Sequence, residues 1–242
     1  MSPELHEVHD ADRVSQAAHL AAAIATRLTR ALERRPVASL VVSGGSTPYL
    51  MYAQLAELKL DWPRVQITLA DERWVPIDDA DSNERQVRAS LLRHGAALAR
   101  FIGLKSNASQ PEEAAAAAWA AVGAMPRPVD VVVLGMGEDG HMASLIPGAP
   151  ELAAGLDERA APACIAVQPT TAPHARLSLN LAALLQSRKI YVQTIGALKK
   201  RVYEKARAAG PAQDMPIRAI LRQNTVPVDV YWCPDAPVGE AS

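Results

Sequence analysis

The sequence predicts an α/β fold in one domain: a mostly parallel sheet with helices on both faces. Three observations predict it. Short runs of Val, Ile and Leu alternate along the chain with longer Ala-rich stretches of helical periodicity, the pattern of strand–helix–strand units. The run from Val129 to Leu134 is apolar at every position but Asp130, as a strand covered on both faces reads. Polar, Gly-containing loops follow that run and the run 37–42, where open α/β sheets place their ligands. At 242 residues the chain is long enough for one large domain or two small ones. With no repeat and no dividing linker, the reading is one domain over 1–242.

Each element has a local reason. Val14, Leu20, Ile24, Leu28 and Leu32 recur near helical spacing, predicting a helix over about 12–35. A strand follows at 37–42, ending in Ser43-Gly44-Gly45-Ser46-Thr47-Pro48, and a helix at 49–58. Residues 65–69 read as a second strand, ending at Asp71-Glu72-Arg73. Asp81-x-x-Glu84 resembles a capping box for a helix over 83–93, and Ser109-x-x-Glu112 another for a helix running to 122. After the strand at 129–134, the Pro- and Gly-containing segment 148–163 reads as loop. Short strands at 164–167 and 176–179 suggest an antiparallel excursion. The chain then predicts a strand at 189–194, helices at 197–208 and 215–222, and a last strand at 228–232.

Composition narrows the function. Hydrophobic content of 49% suffices for a core, and Lys+Arg 25 against Asp+Glu 26 gives no overall bias toward polyanions, so nucleic acid is not an expected partner. Cys164 and Cys233 lie far apart in no metal-ligand spacing, which fits a reducing compartment. The opening MSPELHEVHDADR lacks a signal peptide's basic and apolar regions, and no apolar run is long enough to span a membrane. A cytoplasmic protein without membrane contact, a monomer or weak homodimer, is expected. Without a Gly-x-Ser-x-Gly elbow, an HExxH pair or a Cys/His cluster, the chemistry expected is water or proton transfer with no metal and no cofactor.

The residues that carry chemistry follow the strands. Gly135-x-Gly137-x-x-Gly140 spells the dinucleotide fingerprint, but that motif needs a following helix, and Pro147 permits at most a short turn. Asp157 and Glu158 stand at the distance of its acidic partner, yet in a stretch without strand pattern. His141 instead follows this flexed loop with Asp139 two residues earlier. An imidazole with a carboxylate to orient it is a general base, although Asp139 is equally placed to cap the turn at 141–145. The other five histidines read as surface or structural residues.

The stretch Gly44, Gly45, Ser46, Thr47 before Pro48 aims free N–H groups and a helix start at one point, a natural phosphate site. A plain helix cap fits that stretch equally well. Arg73 can pair with a phosphate or carboxylate, and Asp71 can accept sugar hydroxyls, but alone the motif reads as a surface ion pair. Lys199 falls in the first turn of a helix, where cations are disfavoured and a bound anion would explain it; a solvated Lys, as expected of Lys200, is the alternative. Arg176 opens a strand and faces either site or solvent.

Five ordered blocks give the chain a family resemblance: SGGSTP at 43–48, ADERWVP at 70–76, DVVVLGMGEDGHMASLIPG at 130–148, RLSLNLAAL at 176–184 and TIGALKK at 194–200. With these it resembles the 6-phosphogluconolactonases, within the group that includes glucosamine-6-phosphate deaminase, over nearly its whole length. The resemblance implies a Rossmann-like three-layer α/β/α fold. It also implies hydrolysis of 6-phospho-D-glucono-1,5-lactone to 6-phosphogluconate, the second step of the oxidative pentose phosphate pathway. It casts His141 as the base that activates water and Asp139 as its partner. Gly44, Gly45, Ser46, Thr47, Asp71, Arg73, Arg176 and Lys199 become holders of the phosphate and sugar, and Arg73 or loop N–H groups the oxyanion donors. Two departures matter. The deaminases carry Phe-Asn-Glu-Pro where this chain has Ser144-Leu145-Ile146-Pro147, so their ring-opening Glu is missing. Lactonases commonly have Phe where Ile146 stands. A non-catalytic sugar-phosphate sensor is a third reading, disfavoured because no basic helix-turn-helix segment precedes the domain.

Overall fold

A computed structural model describes residues 5–170 and 172–235. The first half runs β1 (Leu5–His9), α1 (Arg13–Leu32), β2 (Ala38–Val42), α2 (Tyr49–Glu57), β3 (Val65–Leu69), β4 (Asp71–Arg73), α3 (Asn83–Ser90), β5 (Arg100–Ile102) and α4 (Pro111–Gly123). The second runs β6 (Val131–Leu134), α5 (Leu152–Gly155), β7 (Cys164–Val167), β8 (Arg176–Leu179), α6 (Leu181–Leu185), β9 (Ile190–Ile195), α7 (Gly196–Arg207), α8 (Ile217–Arg222) and β10 (Val228–Cys233).

Seven strands form one sheet in the order β1-β10-β9-β6-β2-β3-β5, and every pairing in it is parallel. Helices flank it: α1 packs on α2 and over β2, β6 and β10, while α7 meets β9, β10 and α8. Burying both faces accounts for the strands' composition, since β2 and β6 are buried at every residue. The chain proceeds from β2 outward through β3 to β5, then returns to lay β6 on the other side of β2. The strand order therefore reverses between β2 and β6, and the loops leaving their carboxyl ends part around a crevice.

The antiparallel excursion is a second, three-stranded sheet, β4-β8-β7. Residues 71–73, read as the end of the second strand, form a strand of their own within it. Four elements were not foreseen. The edge strand β1 has a mixed, half-exposed face, β5 has three residues, α6 has five, and α5 puts a four-residue helical turn into the segment 148–163 read as loop; none spans enough residues to show a period. The first four residues of the N-terminal reading lie outside the described part.

Both capping boxes shift. Ser82, not Asp81, is the N-cap of α3 and accepts from the Arg85 N–H, while Glu84 pairs with Arg88. Helix α4 starts at Pro111, and Ser109 bonds Glu113 rather than Glu112. The start of α3 is instead secured from the small sheet. Glu72, 1% exposed, accepts the N–H groups of Asn83 and Glu84, its neighbour Arg73 N–H and the Ser82 hydroxyl. Burial raises its carboxyl pKa, against the pull of those donors. Removing the acceptor would strand several buried donors at once. Glu72→Ala is expected to cost about 3 kcal/mol, measured by urea unfolding, with Glu72→Gln costing less; an unchanged midpoint would show that the carboxylate does not secure α3.

Candidate active site

The crevice at the strand reversal is a cleft of about 240 Å³. Three segments line it: Ser43 to Pro48 after β2, Gly135 to Gly137 with His141 and Ala143 after β6, and a polar wall of Asp71, Arg73, Asn83, Arg176 and Lys199. All of the site residues expected from the sequence, apart from Asp139, line this one cleft. Asp139 stands directly behind His141.

The loop after β6 is built to seat the imidazole. No helix follows Gly140; residues 142–145 form a bridged turn, which removes the dinucleotide reading on structural grounds. The Gly137 N–H donates to the His141 carbonyl at 2.8 Å, closing the loop. A β-carbon at Gly137 would lie 2.1 Å from His141 Nδ1, so only Gly leaves room for the ring. Asp139 Oδ1 lies 2.7 Å from His141 Nδ1 and accepts the His141 N–H at 3.0 Å. The two roles open to Asp139, ring partner and turn cap, are thus filled by one oxygen. Burial opposes ionisation of Asp139, but the hydrogen bonds from the His141 ring and backbone outweigh it and bring the carboxyl to about 2. With Nδ1 directed at the carboxylate, Nε2 is left for the cleft.

The opposite wall concentrates positive charge. Arg73 on β4 and Arg176 on β8 are direct cross-strand partners, a placement that like charges disfavour. Each has a buried Nε without a hydrogen-bond partner among the described residues. Arg73 spends Nη1 on the Asp81 carbonyl at 2.6 Å. Arg176 is 8% exposed; burial depresses its pKa, Asp71 pulls it back up, and Arg73 pushes it further down. Two guanidinium groups on one rung with unused donors have the capacity to bind an anion in the cleft. Lys199 adds a third cation. Its Nζ donates to the Met136 carbonyl at 2.8 Å, with burial lowering its pKa and Glu138 and Asp139 opposing that shift. Lys200, expected to be solvated, lies over the Trp232 ring instead.

The Gly44–Thr47 loop is only partly free. Ser46 and Thr47 donate to no group among the described residues, as an anion cradle requires, but the Gly45 N–H is taken by Gln86 Oε1 at 2.7 Å. Helix α3 therefore holds this loop, a role the sequence did not disclose. Asn83, also unforeseen, sits one turn before Gln86. Its Nδ2 donates to the Asp71 carbonyl, and its buried Oδ1 packs where a Gly44 β-carbon would fall, 2.0 Å from that position. The i, i+3 spacing of Asn83 and Gln86 on a short helix beside the motif was the available signal. Asp71 is neither exposed nor ion-paired at the surface: it is 5% exposed and accepts the Ser144 hydroxyl.

The imidazole geometry has a spectroscopic consequence. The Nδ1 proton held by Asp139 should give a strongly downfield, slowly exchanging proton resonance coupled to a His ¹⁵N. That resonance should vanish in both Asp139→Asn and Gly137→Ala. Its persistence in Gly137→Ala would mean that the ring does not need the space kept by that glycine.

Similarity to known proteins was assessed against this geometry. Residues 11–232 match the family model described as glucosamine-6-phosphate isomerases/6-phosphogluconolactonase. The 6-phosphogluconolactonase of Pseudomonas putida is 42% identical over 233 residues, covering 96% of this chain and 95% of that protein. That of Rhizobium meliloti is 40% identical, covering 97% and 100%. The crystal structure of a 6-phosphogluconolactonase from Shewanella baltica superposes with a TM-score of 0.92 at 45% identity, covering 96% and 99%. A monomeric glucosamine-6-phosphate deaminase, 18% identical, shares the fold with a TM-score of 0.74. The chain belongs to the glucosamine-6-phosphate isomerase/6-phosphogluconolactonase family.

Proposed function

We propose that the protein is a single lactonase domain, acting as a monomer or weak homodimer, that hydrolyses 6-phospho-D-glucono-1,5-lactone to 6-phospho-D-gluconate. The observation that carries this reading is the pairing, within one cleft, of an oriented imidazole with two cross-strand arginines whose buried Nε donors are unused. An anion and a proton-transfer step are thereby brought within one small molecule's length. The relatives support the choice of substrate: those of Pseudomonas putida, Rhizobium meliloti and Shewanella baltica are 6-phosphogluconolactonases by name.

In this mechanism Arg176, Lys199 and the Ser46–Thr47 loop hold the 6-phosphate, and Asp71 accepts sugar hydroxyls. His141 Nε2 takes a proton from water as the water oxygen bonds to C1. Asp139, ionised throughout the working range, steadies the resulting imidazolium. Negative charge collects on the former carbonyl oxygen and is met by Arg73 or by loop N–H groups. The bond from C1 to the ring oxygen then breaks, and His141 returns its proton to that oxygen. The product acid ionises, so turnover releases one proton per lactone.

Aldose–ketose isomerisation with loss of the amine needs an acid-base carboxylate in the turn after the catalytic His. Here that turn is Ser144, Leu145 and Ile146, all buried, with Ser144 committed to Asp71. No observation favours the deaminase or the sensor reading.

Proton release from freshly generated lactone, in EDTA and without nucleotide, tests the proposal. A rate well above the spontaneous background is expected. Lys199→Ala should raise KM by about tenfold or more while changing kcat less. If KM and kcat/KM stayed at wild-type values, Lys199 would not hold the phosphate.

A further inference from the structure

The amino ends of the central strands carry a second concentration of cationic groups that the proposed mechanism does not use. Arg27, Arg30, Arg34, Arg35 and Arg188 line one cavity of about 450 Å³ together with Ala31 and Asp130. Asp130 precedes β6 and Arg188 precedes β9, so this cavity opens at the amino ends of the strands, across the sheet from the cleft. Five guanidinium groups here face one carboxylate, in a chain whose charges balance as a whole, 25 basic against 26 acidic.

Ordinary structural roles account for part of the cluster. Asp130, 3% exposed, accepts the Ser39 N–H and ion-pairs with Arg35, with Arg188 at 3.6 Å. Arg27 Nε donates to the Tyr191 hydroxyl at 3.1 Å. Arg30 stands in the last turn of α1, where the helix dipole favours a cation. These contacts leave an excess. The side chains of Arg30 and Arg34 pair with no acidic group among the described residues. Arg27 and Arg30 are three residues apart on one helix face, where like charges repel. Asp130 is already saturated and cannot neutralise them.

We infer that this cavity is a second anion site, for a compact polyphosphate chain. Guanidinium forks suit phosphate oxygens bidentately, and several of them around one cavity select a multiply charged ligand over a single phosphate. The volume lies within the range of small-molecule sites. Among the described residues no aromatic one lines the cavity, which leaves no platform there on which to stack a base. Recognition is therefore of the phosphate chain, whether free or carried by a nucleoside, and not of single-stranded nucleic acid.

Isothermal titration with tripolyphosphate at physiological ionic strength tests the site, in wild type, Arg30→Ala/Arg34→Ala and Lys199→Ala. The expected result is one site weakened at least tenfold in the double variant and unchanged by Lys199→Ala, with lactone kcat/KM of the double variant as in wild type. Both arginines are exposed, and an unaltered melting curve would verify folding. Equal affinity for tripolyphosphate and ATP would identify the chain alone as the ligand; tighter ATP binding would identify the nucleoside-borne form. No binding, binding lost in Lys199→Ala but kept in the double variant, or preference for a short oligonucleotide would each overturn the inference.

Discussion

Laying β6 directly beside β2, after the chain has already moved outward through β3 and β5, obliges the segments leaving those two strands to part. Neither segment can cover the other's backbone, so a polar crevice is left at the carboxyl ends of the central strands. Everything assigned to the site depends on this one topological reversal. The loop after β2 supplies hydroxyl and amide donors; the loop after β6 supplies the imidazole. The crevice needs a third wall, and a parallel sheet has no strand left to provide it. The small antiparallel sheet does so by presenting Arg73 and Arg176 on one rung.

That third wall is not independent of the first. Glu72 lies between the two site residues of β4 and fastens the start of α3. From α3, Asn83 and Gln86 reach back to Asp71 and to the Gly44–Gly45 turn. A buried carboxylate outside the cleft lining thus links the arginine rung to the Gly44–Thr47 loop. Its raised pKa is the electrostatic cost of that position. The link also explains why the Gly44–Thr47 loop has fewer free N–H groups than a bare helix start: one of them is the anchor.

Legibility in the sequence followed the length and composition of each signal. The strands around the crevice were visible because burial on both faces makes β6 uniformly apolar and β2 apolar at every position but Ser39. His141 and Asp139 were visible because two residues in one Gly-flexed loop carry their own geometry. The glycine at 137 read as a sharp turn or a point of close approach; that the group approaching it is the His141 ring requires coordinates. Arg73 and Arg176 were visible as residues but not as a pair, because cross-strand register over a hundred residues has no local signature. Asn83 and Gln86 were hidden for a similar reason. The capping pattern that drew attention to their helix was off by one residue, and its true anchor, Glu72, lies on another element. The distal arginines were passed over because balanced charge in the whole chain says nothing about where the charge sits.

The central claim is that His141 Nε2 is the base, with Asp139 ionised behind it. The most direct measurement is kcat/KM for freshly generated 6-phosphogluconolactone in wild type and in His141→Gln, a substitution that keeps a polar side chain of similar reach but cannot take the proton. In folded His141→Gln kcat/KM should fall by about a hundredfold or more. Activity in that variant within a few-fold of wild type would contradict the account.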